Sequence, residues 1–127
     1  MSNPFLLFGA INGFLFVALG AFGSHGLKGK IPDDLFSVWE TAAQYQGIHA
    51  LALVATGLLI LQWPDAGLFR WAGWLFLAGI ILFSGSLYLL AATGARWLGP
   101  VTPFGGLSFL AAWSVLAYAL FVLDKTQ

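Results

Sequence analysis

Four stretches of the chain carry no formal charge, at about residues 4–23, 45–61, 71–92 and 104–123, and the charged residues fall between or beyond them. Twenty residues of α-helix rise about 30 Å, the thickness of a bilayer's hydrocarbon core. A backbone immersed in lipid has to satisfy its own N–H and C=O groups, and a helix does so within one segment. The pattern therefore predicts an all-α integral membrane four-helix bundle, a single domain over residues 1–127.

Punctuation between the stretches refines the boundaries. Pro32 followed by Asp33-Asp34 is a helix start, with carboxylates at the positive end of the helix dipole, and Gln62-Trp63-Pro64-Asp65 is a stop. A helix from Asp33 to Gln62 is longer than the bilayer is thick. The portion around Leu35-Phe36-Ser37-Val38-Trp39 is expected in the headgroup zone or beyond it, either continuous with the second span or as a separate interfacial helix. The first stretch ends in the small residues of Ala21-Phe22-Gly23, as a cleaved secretory signal would, but Met1-Ser2-Asn3-Pro4 lacks the basic start of one, so a retained span is expected. Trp63, Trp71 and Trp74 cluster at the second loop, with Trp39 and Trp97 near the first and third, where an interfacial belt belongs. Trp113 falls inside the fourth span and is expected between helices.

Four spans put both termini and the second loop on one side. Lys28, Lys30 and Arg96 in the first and third loops outnumber Arg70 and Lys125 on the terminal side, which leans the termini away from the cytoplasm.

Lipid gives helices no hydrophobic reason to associate, so small residues that permit close approach carry the packing. Gly9, Gly13 and Gly20 recur on one face of the first span, and Ala72, Gly79 and Ser86 on one face of the third. Packing within the chain is the favoured use of these stripes, and a second copy is the alternative. Gly13–Ala18 and Gly73–Ala78 share a pattern 60 residues apart, consistent with a duplicated hairpin or with the small alphabet of apolar segments.

Composition agrees with lipid as the solvent: 8% of residues are charged and 60% hydrophobic, against about 25% and 45–50% in soluble domains. Five basic residues balance five acidic ones, which leaves no basic field to hold nucleic acid. The absence of cysteine removes disulfides, thiolate metal sites and thiol catalysis.

Polar side chains gather at the end of the first span, the start of the second and the third loop. Glu40 and Gln44 are one helical turn apart, as are Tyr45 and His49, and Ser84 and Tyr88. In a compact bundle His25, Glu40, Gln44, Tyr45 and His49 would share a hydrogen-bonded layer, with Ser84 and Tyr88 beside it. Such a layer reads in two ways: as glue that satisfies polar groups where lipid offers none, or as an interfacial binding site. His25 and His49 as a bis-imidazole haem site lack supporting ligands. His25, His49 and Glu40 fall at no zinc spacing, and Phe83-Ser84-Gly85-Ser86 lies mid-helix and not at a nucleophile elbow. No catalytic residue, metal or cofactor is expected.

The ordered set Gly20-Ala21-Phe22-Gly23-Ser24-His25-Gly26-Leu27, Trp39-Glu40-Thr41-Ala42, Tyr45-Gln46 to His49-Ala50-Leu51-Ala52, Phe83-Ser84-Gly85-Ser86-Leu87-Tyr88 and Leu98 to Gly106 resembles the bacterial family called domain of unknown function 423, itself similar to the animal transmembrane protein 256 group. The resemblance covers nearly the whole chain. It implies a small four-helix inner-membrane protein of no agreed activity and carries over no site residues. The function expected from the residues is that of a non-enzymatic accessory or assembly partner of a membrane complex. The alternative is a binder or transporter of a small molecule, lipid or ion through the polar layer. The partners expected are the lipid bilayer, and other membrane proteins or a second copy.

Overall fold

An uncharged stretch closed by proline, glycine and charge has one low-cost solution in lipid, and the chain adopts it four times. The computed structural model describes residues 3–126; Met1, Ser2 and Gln127 lie outside the described residues. Its four long apolar helices are α1 (Phe5–Leu27), α2 (Asp33–Gln62), α3 (Leu68–Thr93) and α4 (Arg96–Thr126), and the described residues contain no strand. α2 is one uninterrupted helix of 30 residues. Leu35 to Trp39 therefore continue the second span and form no separate interfacial helix.

The ends follow the local chemistry. Asp33 and Asp34 occupy the first turn of α2 after Pro32. Gly94 closes α3 at φ 72°, donating its N–H to Leu90 O at 2.7 Å, so that Gly94 and Ala95 alone turn the chain into α4. Three segments depart from α geometry. The last turn of α1, Gly23–Leu27, and the middle of α3, Ile80–Gly85, widen into π turns. α4 opens with a tighter 3-10 turn, Arg96–Val101, that holds Pro100.

α1 lies along α2 in antiparallel sense, with Gly9 against Ala50 and Val54, Phe16 on Gly47, and Trp39 on Gly23. A Cβ on Gly9 would sit 2.6 Å from Val54 Cγ2 and 3.0 Å from Ala50 O, so only glycine permits this approach. α3 and α4 meet in a comparable way. The wide turn of α3 brings the Phe83 backbone against Gly105, where any Cβ would overlap it. Phe5, Leu53, Ile60, Phe69 and Phe76 fill the centre.

The two small-residue stripes meet different neighbours, and neither meets the other. Of the first stripe Gly9 touches α2, whereas Gly13 and Gly20 face open space. In the other, Ala72 is buried, Gly79 lies under the Phe109 ring of α4, and Ser86 hydrogen-bonds Thr102 at 2.6 Å. Gly13 and Gly73, matched in the internal pattern, have unlike surroundings, since Gly73 receives the Phe5 ring.

Candidate functional site

α2 supplies most of the buried polar groups because one of its faces is small. Ala42, Ala43, Gly47, Ala50 and Gly57 let neighbouring helices come close, and Trp39, Gln46, His49 and Thr56 are interleaved among them. A polar group drawn into that crowd must find a partner, because neither water nor lipid supplies one.

Three spans are tied by one line of donors. The Tyr88 hydroxyl of α3 donates to Gln46 Oε1 at 2.7 Å, Gln46 Nε2 donates to Asn12 Oδ1 of α1 at 2.9 Å, and Asn12 Nδ2 donates to Phe8 O at 2.8 Å. Each bond leaves the acceptor's own N–H to donate onward, a directional arrangement in which neighbouring bonds polarise one another. Trp39, 6% exposed, sets its indole edge to face against Tyr88 at 4.7 Å and donates Nε1–H to Leu19 O at 2.9 Å. It therefore belongs to the buried core, not to the interfacial belt. Gly23 begins the π turn where that indole passes, and a Cβ there would lie 2.6 Å from Trp39 Nε1.

A second cluster joins α2 to α4. His49 Nδ1 lies 2.7 Å from Tyr45 O, and Trp113 donates its Nε1–H to His49 Nε2 at 3.1 Å. A carbonyl accepts and an indole N–H donates, so the imidazole is neutral with its proton on Nδ1. The ring stacks on Phe109 at 3.6 Å and 6°. With both nitrogens engaged, His49 has no lone pair left for a metal or haem iron. Among the described residues no three His, Asp or Glu side chains gather to hold an ion.

The expected polar layer thus divides. Ser84 is buried and donates to Ala42 O at 2.8 Å, Tyr88 joins the three-span chain, and His49 joins the Trp113 cluster. Tyr45 stacks beside His49 but is 38% exposed. His25, in the π turn of α1, and Glu40 and Gln44, on the outer face of α2, are all exposed and share no hydrogen bond among the described residues. Asn12 and Gln46 take the central place that sequence reasoning assigned elsewhere. Both carried a signal: Asn12 is the one polar side chain in the stretch 4–23, and Gln46 shares a helix face with Trp39, Ala42 and His49.

Three troughs open around the outer face of α2. One of about 480 Å³ runs between α1 and α2 over Gly13, Phe16, Gly47 and Leu51. Another, of about 820 Å³, lies between α2 and α4. A smaller one of about 350 Å³ holds Glu40 and Ser24 near the first loop. Gln44 stands on the crest that borders all three.

Comparison with known proteins gives a consistent answer. The family model described as "Protein of unknown function (DUF423)" matches residues 19–106. The UPF0382 membrane protein YwdK of Bacillus subtilis is 49% identical over 115 residues, 91% of this chain and 94% of that protein. UPF0382 membrane proteins of Staphylococcus aureus and Staphylococcus epidermidis are 48% and 47% identical, over 92% and 91% of this chain and 94% and 93% of their own lengths. No solved structure matches the chain.

Proposed function

The chain belongs to the DUF423 family, whose relatives are named only as membrane proteins, and on that footing we propose that it works without catalysis, as an accessory or assembly subunit that packs against another integral membrane protein. The observation that carries this reading is Gln44. Level with the uncharged α1 segment between Phe16 and Gly20, it projects from the outer face of α2, yet among the described residues its amide has no hydrogen-bond partner. A primary amide offers two donors and an acceptor that hydrocarbon cannot use. Beside it Gly13 and Gly20 leave open a strip of α1 against which another helix can lie closely. The buried polar groups point the same way, because Asn12, Gln46 and His49 are bonded within the bundle, His49 to Trp113 and the backbone, and among the described residues they form no row of free polar groups along the spans.

The test uses the chain's lack of cysteine. A single photoreactive side chain at Leu51, on the open trough of α1 and α2, is expected to give one adduct of defined mass in native membranes, and the same group at Leu110 of α4 is not. Adding Gln44→Leu should abolish that adduct. Recovery of a solitary monomer under mild detergent, with no position-dependent adduct, would contradict the reading.

The orientation proposed is that of a bacterial inner-membrane protein with Lys28, Lys30 and Arg96 on the cytoplasmic side and both termini outside. At that end Arg96 makes an exposed pair with Asp34 at 3.4 Å that contributes little stability. A membrane-impermeant maleimide applied to whole cells should label Asp65→Cys and spare Lys30→Cys; the reverse pattern inverts the assignment.

A further inference from the structure

The trough between α2 and α4 differs from the other two in its walls. Tyr45, His49, Phe83, Phe109 and Trp113 give it an aromatic floor, the exposed Ile48, Leu107 and Leu110 stand at its rim, and Gly106 keeps one flank low. These rings already pack on one another: Tyr45 lies 4.5 Å from Phe83, and His49 and Phe109 are parallel. The trough runs along α4 from Pro103 to Trp113. Ten residues of helix rise about 15 Å, about half of a hydrocarbon core roughly 30 Å thick. It therefore opens to one leaflet, from the edge near the third loop to the region of the midplane. Its volume of about 820 Å³ falls within the roughly 300–1,000 Å³ of small-molecule sites.

Two hydrogen-bonding heads on its lining have nothing to bond. The His49 nitrogens and the Trp113 N–H are engaged with protein partners. The Tyr45 hydroxyl and the Gln44 amide have no partner among the described residues. Both are donors, they follow one another on α2, and they stand at the loop-side end of the trough, where a ligand entering from that leaflet would carry its polar head.

We infer that this trough binds an isoprenoid quinone dissolved in the membrane, its ring carbonyls accepting from the Tyr45 hydroxyl and the Gln44 amide, its ring on the aromatic wall and its tail running towards Trp113. A planar ring gains offset or edge-on packing from such walls. A saturated acyl chain gains none and has no carbonyl on its tail to accept from these donors. Binding alone is inferred, with no electron transfer. The inference shares Gln44 with the docking reading above, but Tyr45 and Trp113 lie in the α4-side trough and Gly13 and Leu51 in the α1-side one, so Tyr45→Phe reads the quinone alone and the Leu51 adduct reads the partner protein alone.

Quenching of tryptophan fluorescence tests it, with the full chain in nanodiscs and a benzoquinone bearing a short isoprenoid tail as the probe. Saturable quenching is expected for the wild type. Tyr45→Phe, which removes only the hydroxyl, should weaken binding about tenfold, the worth of one hydrogen bond. Gly106→Leu should abolish it by filling the trough; a Cβ there meets only Phe83 Cδ2, at 3.9 Å, so the helix itself is not displaced. Gly13→Leu, in the trough on the other flank, should leave binding unchanged. Quenching that never saturates, or that is equal in Tyr45→Phe and wild type, overturns the inference. Displacement of the probe by saturated phospholipid as readily as by unlabelled quinone overturns it too, since the trough would then hold an ordinary acyl chain. If Gly106→Leu lowers the melting temperature without quinone, the near-isosteric Tyr45→Phe decides.

Discussion

The two faces of α2 carry amides two residues apart with opposite fates. Gln46 turns inward, is 4% exposed, and is bonded at both ends of its amide, to Tyr88 of α3 and Asn12 of α1. Gln44 turns outward onto a crest between troughs and bonds to nothing among the described residues. The residue type is the same and the depth nearly so. What differs is the company on each face: alanine and glycine bring α1 and α3 close around Gln46, whereas Glu40, Ile48 and Leu51 share the outer face with Gln44. In a bilayer, polarity alone does not tell an inside residue from an outside one; the size of its helix-face neighbours does.

Several substitutions would sharpen or break this contrast. The largest effect is expected where backbones touch: Gly105→Ala places a methyl group on the Phe83 backbone and should cost about 3 kcal/mol in bicelle unfolding, at the upper end for overpacking. A loss below about 0.5 kcal/mol, the range of an innocuous surface change, would mean that α3 and α4 are farther apart than described. Tyr88→Phe removes the first donor of the three-span chain and leaves Gln46 Oε1 unpaired. A loss of about 1–2 kcal/mol is expected from the unmet acceptor, read from the same titration. Trp113→Naphthylalanine, which keeps an aromatic surface but no N–H, should cost about 1 kcal/mol and shift the His49 Nε2 resonance in nitrogen-15 spectra, because that atom loses its donor. An unshifted resonance would detach Trp113 from the imidazole. At the small end, Gly13→Ala meets open space and should change stability by less than about 0.5 kcal/mol, whereas any larger loss would show that the first small-residue stripe is occupied throughout.

The fold was largely legible from the sequence. Four uncharged stretches bounded by Pro32, Pro64, Gly94 and Lys125 became four helices, because lipid leaves so few ways to pair a backbone. Local spacing also put Glu40 with Gln44, and Tyr45 with His49, on common faces. What spacing could not tell was which face turned inward. A charged residue and an amide one turn apart look like a site, yet burial of the α2 face followed Ala42, Ala43, Gly47 and Ala50, and it took Gln46 and His49 with it. Trp39 was misplaced for a related reason. Its position near a loop suggested the headgroup belt, but the π turn at Gly23 opens room for the indole and Leu19 O accepts its proton. π turns leave little trace in a hydropathy profile, since they change the path of the helix and not its composition.

The central claim is that the inner face of α2 holds the bundle together and the outer face does not. Unfolding Gln46→Leu and Gln44→Leu side by side in the same bicelles tests it most directly. Gln46→Leu strands Asn12 Oδ1 and the Tyr88 hydroxyl and should lose about 2–3 kcal/mol, while Gln44→Leu should stay within about 0.5 kcal/mol of the parent or exceed it. Equal losses at the two positions, or the larger loss at Gln44, would contradict the account.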